Sequence, residues 1–213
     1  MRKGTICLLA FLLSAAITGV FAQKVPVADS SKAGKATDQP LKIDLLPSVQ
    51  QMIAKMKKLK LTGDPDIDYV AQARLHMQGT QELLKGIIDA QSDSALTQAA
   101  KTMLSTAETD LATIDKLQNE LKPVKPNTAF VKQQKQVIAA ISEKIKQSAS
   151  SYKLTQNPWA NMAILLSDQR QDAINLATSY LQFGKNTELR NFAQQSVEKA
   201  KLDLDIIKNI GKR

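Results

Sequence analysis

The chain states one pattern twice, 93 positions apart. Lys60-Leu61-Thr62 followed by Pro65 returns as Lys153-Leu154-Thr155 followed by Pro158. At the same offset Gln78 falls on Gln171, Leu83 on Leu176, Leu96 on Leu189 and Ala100 on Ala193. Ala107, Asp110, Leu111 and Ile114 fall on Ala200, Asp203, Leu204 and Ile207, with no gap needed. Self-similarity at a long period constrains architecture strongly, because each copy is one structural unit that buries its apolar face against the next. It also makes each half a control for the other. Residues kept in both halves report what the fold needs, and residues that differ mark a function kept or lost in one of them.

The segments outside the repeat divide the chain further. Met1-Arg2-Lys3 is a basic start, Ile6 to Val20 is mostly apolar, and Val20 and Ala22 are small enough for a signal peptidase site. A cleaved signal over residues 1–22 is expected, with cleavage after Ala22 and export to the periplasm or beyond. No later run is apolar enough to cross a bilayer, so no membrane span is expected after cleavage. Cys7, the single cysteine, lies within that signal, so the mature chain is expected to have neither a disulfide nor a thiolate ligand. Residues 23–40 are polar and aperiodic and read as a disordered leader. Helical repeat 1 is placed at 41–121, a linker carrying Pro123 and Pro126 at 122–128, and helical repeat 2 at 129–213.

The net charge of +9 falls to +7 without Arg2 and Lys3. Nucleic acid is not the expected partner, since the lysines are scattered and aromatic residues for base stacking are few. A lysine-rich helical surface accounts for the charge. Lys55, Lys57, Lys58 and Lys60 crowd one helix end, where positive charge offsets the helix dipole.

The fold class is all-α, with three helices per half. The first is expected over about 48–60, with Val49, Met52, Ile53, Met56 and Leu59 on one face. Its counterpart is expected over about 130–153, with Val137, Ile141 and Ile145 at helical spacing. The second helices open at Asp64-Pro65 and Asn157-Pro158, each a capping side chain before a proline at the first helical position. The third helices open at Asp93 and Asn186, again equivalent caps. Two antiparallel hairpins of long helices make a four-helix bundle, with the two first helices packed against it. A continuous solenoid is the alternative, for which two repeats are few.

His76 is the single histidine. Its equivalent, Gln169, is surrounded at helical spacing by Met162, Leu166, Ala173, Leu176 and Tyr180, so both positions are expected to face inward. Asp110 and Asp203, an acid kept in both halves beside the apolar stripe of the third helix, call for a partner.

Thr62-Gly63-Asp64-Pro65-Asp66, followed by Tyr69 and then His76-Met77-Gln78-Gly79, resembles the signature of the domain of unknown function 305 family. The second half resembles the same pattern from Gln171 to Ala193, and the likeness spans nearly all of Leu45 to Ile210 as two degenerate tandem copies. The resemblance implies a ferritin-like bundle in the periplasm, and in some members copper bound through His and Met. On that basis His76, Met77, Met52, Met56, Met103 and Asp110 are the candidate metal-site residues. Imidazole and thioether suit Cu(I), and Met52 and Met56 share a helix face. The other reading of the same methionines is core packing. The chain departs from the family where it reads His76-Met77 for a histidine pair, and Gln169-Arg170 in the second half. Two readings of Arg170 stand: it pairs with Asp203, a guanidinium taking the place of a metal cation, or it points to solvent.

No phosphate loop, Glu-x-x-His pair, zinc spacing or nucleophile elbow is present. The expectation is a non-enzymatic exported binding protein with ancestry in copper handling, retaining at most one soft-metal site in repeat 1. The alternative is a metal-free structural or protein-interaction scaffold with an envelope protein as partner.

Overall fold

A computed structural model of the protein describes residues 45–90, 93–149 and 157–210. These residues belong to one unit spanning 39–213. The signal, the leader, Cys7 and the Lys153-Leu154-Thr155 end of the repeat lie outside the described residues. Six α-helices make up the described part: α1 Leu46–Lys58, α2 Pro65–Asp89, α3 Ser94–Glu120, α4 Thr128–Ala149, α5 Pro158–Leu181 and α6 Thr187–Ile210. No strand occurs among the described residues, and none of their helices is long and apolar enough to cross a membrane.

The helix starts follow from capping chemistry. The first N–H groups of a helix have no intrahelical acceptor, so a side-chain oxygen must supply one. Asp64 accepts from the amides of Asp66 and Ile67 at 2.9 and 3.3 Å. Asn157 accepts from Trp159 and Ala160 at 3.0 and 3.4 Å. Asp93 serves Leu96 at 2.8 Å and Asn186 serves Leu189 at 2.9 Å. Three boundaries differ from expectation. Helix α1 both begins and ends two residues earlier, at Leu46 and Lys58, with Pro47 in its first turn. Thr128, expected in the linker, opens α4 because Asn127 accepts from the Phe130 amide at 3.0 Å.

The linker is pinned rather than merely bridging. Asn127 donates its amide to the Gly63 carbonyl at 2.7 Å. Gly63 has φ +86°, and a Cβ there would sit 2.8 Å from Pro126 Cβ. Only glycine meets both demands, the left-handed backbone and the close approach.

Helices α2 and α3 form one hairpin, and α5 and α6 the other. Across the halves α2 packs on α5, α3 on α6 and α1 on α4, while α1 also covers α2 and α4 covers α5. The two hairpins therefore share one bundle. Tyr69, near the start of α2, stacks on Tyr180, near the end of α5, with ring centroids 4.2 Å apart. Thr80 donates to Gln169 Oε1 at 3.2 Å. These two contacts run α2 and α5 antiparallel. Each pair of helices aligned by the 93-residue offset is thus a pair in contact, and the positions near the middle of α2 and α5 meet their own equivalents.

Candidate functional site

The interior of this bundle is unusually polar at its centre. On α2 the side chains of Asp66, Asp68, Gln72, His76 and Thr80 are all buried, as are Gln169 and Asp172 on α5. Two of these, together with the capping residue Asp64, serve the helix ends. Asp68 accepts from the Thr62 and Gly63 amides, each at 2.8 Å. Asp66 reaches across to the other half and accepts the Tyr180 hydroxyl at 2.7 Å and the Lys185 amide at 3.1 Å. Asp64 caps its own helix and also takes the Val124 amide at 2.6 Å. The acidic signature that carries the family resemblance is therefore occupied in building the fold.

His76 and Thr80 also line a cavity of about 60 Å³ between α2, α3, α5 and α6. His76 and Met77 line it from α2, Asp110 from α3, Arg170 from α5, and Lys199 and Asp203 from α6. Four charges lie at its wall, joined in two pairs. Arg170 Nη1 donates to Asp203 Oδ2 at 3.1 Å, which decides between the two readings the sequence left open. Lys199 Nζ donates to Asp110 Oδ1 at 2.6 Å.

The repeat explains why these pairs differ. Arg170 stands at the offset of Met77, so Asp110 has no equivalent arginine in its own half. Lys199 stands at the offset of Thr106 and crosses from repeat 2 to supply the missing cation. The acids come one from each half, and both cations come from repeat 2. Sequence reasoning did not single out Lys199. Its signal was available, because Lys199 precedes Asp203 by four residues and so shares its helix face, where the first half has Thr106 before Asp110.

His76 is 3% exposed. Burial, followed by the charges of Arg170 and Lys144, lowers its pKa to about 3, so the ring is neutral at physiological pH. The ring makes a hydrogen bond to the backbone of Gln169 that opposes this lowering, as a donor to a carbonyl does. Its Nε2 is buried with no protein partner. The partner that Asp110 called for is Lys199.

A second ionic knot lies against α4. Lys144 reaches Asp172 on α5 and also donates to the Asp168 carbonyl at 3.1 Å. Burial raises the Asp172 carboxyl to about 6 despite the nearby ammonium. Asp172 stands at the offset of Gly79, where Met52 of α1 fills the space: a Cβ on Gly79 would lie 2.5 Å from Met52 Cγ. Asp168 and Lys144 had no place in the sequence reading, and Asp172 entered it only within the run that carries the second-half resemblance.

The six sequence-selected residues do not converge. His76, Met77 and Asp110 line the cavity. Met52 packs on Gly79, and Met52, Met56 and Met103 lie in the hydrophobic core, 1–3% exposed. Among the described residues no three His, Cys, Asp or Glu side chains form a metal-holding group. The cavity wall fits a metal cation poorly, because its two acids already hold two cations and the four charges sum to zero. An added ion must displace one of them or remain uncompensated in a low-dielectric interior.

No protein family, curated protein or solved structure matches this chain.

Proposed function

We propose that this chain is an exported, metal-free helical scaffold of the cell envelope, working through contacts with a protein partner. In this reading it descends from a ferritin-like, copper-handling unit of the domain of unknown function 305 type. One observation supports it above the others: Arg170 and Lys199 engage Asp203 and Asp110 at the wall of the central cavity. The arginine stands where the family resemblance expects a second histidine. Tethered cations in that place keep the bundle centre neutral without a metal. Export rests on the pattern of Met1 to Ala22, and the absence of any catalytic constellation in the sequence favours a non-enzymatic role.

A retained Cu(I) site is the second reading, and one feature favours it. His76 Nε2 is unpartnered, and both His76 and Met77 line the cavity. Neighbours on a helix diverge by about 100°, so the two do not readily share an ion.

Titration of residues 23–213 with Cu(I) against a chromophoric chelator decides between them. Weak, non-stoichiometric association, equal in the wild type and His76→Ala, is the expected result. One tight equivalent that disappears in His76→Ala would establish the copper site and remove the metal-free reading.

A further inference from the structure

Lysines that lie scattered along the sequence collect on one layer of the fold. Residues 46–60 and 122–149 carry ten lysines and a single acid, Glu143. Helices α2, α3, α5 and α6 carry fourteen acids against nine bases. Helices α1 and α4 pack on each other and on α2 and α5, so the two basic helices lie side by side. Lys144 turns inward to Asp172. Lys57, Lys60 and Lys135 are exposed, and none of the three is ion-paired among the described residues.

The seam between these helices is grooved. One groove is lined by buried Ile53 and Ile145 and by exposed Lys57 and Lys146. The next is lined by buried Met56 and Ile138 and by exposed Lys57, Lys60 and Lys135. Lys57 lines both, so the two adjoin. Along α4 they extend from Val131 to Lys146, about 22 Å at 1.5 Å per residue. An apolar floor of that length between lysines matches about four turns of a helix with one apolar and one acidic face.

Other occupants fit less well. A lipid surface takes up protruding apolar side chains, and the large exposed hydrophobics among the described residues, Val124, Leu202 and Ile206, are not on α1 or α4. Residues 23–44 of this chain bring four lysines and three aspartates. In a second copy, the exposed Leu202 and Ile206 of α6 stand beside Lys201 and Lys208 as well as Asp205. Neither segment brings an excess of acid.

We infer that the α1–α4 seam docks an acidic amphipathic helix of a protein partner, with its apolar stripe in the grooves and its carboxylates on Lys57, Lys60 and Lys135. The inference rests on the partner-binding reading of this scaffold.

NMR titration of ¹⁵N-labelled residues 23–213 tests it, using a synthetic peptide of about 18 residues with leucine on one helical face and glutamate elsewhere, in about 150 mM salt. Saturable amide shifts in α1 and α4 are expected, with affinity weakened about tenfold by Lys57→Glu with Lys135→Glu. Lys101→Glu with Lys116→Glu makes the same charge change at exposed positions of α3 and should alter affinity less than about twofold. Ala54→Glu, at an exposed residue of the first groove, should also weaken binding and replaces the first double variant if that chain folds poorly. No shift in α1 or α4 overturns the inference. Equal weakening by both double variants, or equal binding of a scrambled peptide, reduces the effect to bulk charge and overturns it too. So does binding to phosphatidylglycerol vesicles without a response to the peptide, which makes the face a membrane contact. Concentration-dependent shifts in α1 and α4 without peptide put a second copy there, with the same consequence. Photo-crosslinkers at Ala54 and at Leu202 in the exported chain separate the surface from the reading beneath it. Protein adducts from Leu202 alone overturn this surface and leave the partner-binding reading standing. Adducts from neither position remove that reading itself.

Discussion

Arg170 and His76 show what one side chain decides in this bundle. Arg170 is tied to Asp203 at 3.1 Å, with side-chain exposures of 12% and 19%. A pair so nearly excluded from water leaves a costly charge behind when one member is removed. Arg170→Met restores the residue of the first half and strands Asp203, so it should destabilise the chain by about 2 kcal/mol, discounted for the residual exposure. Arg170→Met with Asp203→Leu should recover much of that, because an apolar replacement of both members is close to neutral. A double-mutant cycle in urea measures the coupling; additive effects would show that the pair stabilises nothing. Asp110 and Lys199 form the comparison pair, with Lys199 42% exposed, and Lys199→Thr is expected to cost less than Arg170→Met. Arg170 was legible from sequence because it faces a retained acid through the repeat. His76 was legible as inward-facing for the same reason. Its bond to Gln169 was not, since it joins two equivalent positions across an interface that has no spacing in the chain.

At the scale of the helix, the starts were readable and the cross-links were not. A cap acts within three residues of itself, so Asp64, Asp93, Asn157 and Asn186 announce their helices locally. Asp66 looks from sequence like one more first-turn acid on α2. In the fold it accepts the Tyr180 hydroxyl and the amides of Lys185 and Asn186, fixing the turn that opens α6. Three donors lose their acceptor in Asp66→Ala, two of them backbone amides. The expected cost is about 3 kcal/mol. Hydrogen exchange should quicken at Lys185 and Asn186 and at the start of α6, while the first turn of α2, capped by Asp64, stays protected. Equal loss of protection at both helix starts would refute this division of labour. The second half has Trp159 at the offset of Asp66, so α3 does not receive the reciprocal carboxylate, and its start depends on Asp93.

Across the whole molecule, stability should depend on pH through two buried groups of opposite sign. The folded pKa of His76, about 3, lies below the ordinary value of 6.5. Between those values the unfolded chain binds the extra proton, so the chain loses stability as pH falls below about 6.5. The folded pKa of Asp172, about 6, lies above its ordinary 3.8. There the folded state binds the proton, so acidification from about 6 to 4 adds stability. The histidine window is wider and continues below the range in which Asp172 compensates. His76→Gln, which installs the residue of the second half, should therefore shrink the drop in urea midpoint between pH 7 and pH 4.5. Asp172→Asn should enlarge it. Identical pH profiles for all three chains would show that neither group carries the dependence.

The sequence by itself determined the helices, the helical register of the two halves and the inward direction of His76. These follow from caps, periodicity and a repeat, all of which act over short separations or by comparison of aligned positions. It offered the Arg170–Asp203 pair as one of two readings, because both partners lie within one half. The tertiary structure alone decided that Met52, Met56 and Met103 go to the hydrophobic core while Met77 lines the cavity beside His76. It alone brought Lys199 to Asp110 and Asp66 to the turn before α6. Those contacts join residues 89 and 119 positions apart, and at such separations partner choice depends on how the two hairpins dock, which no local pattern encodes.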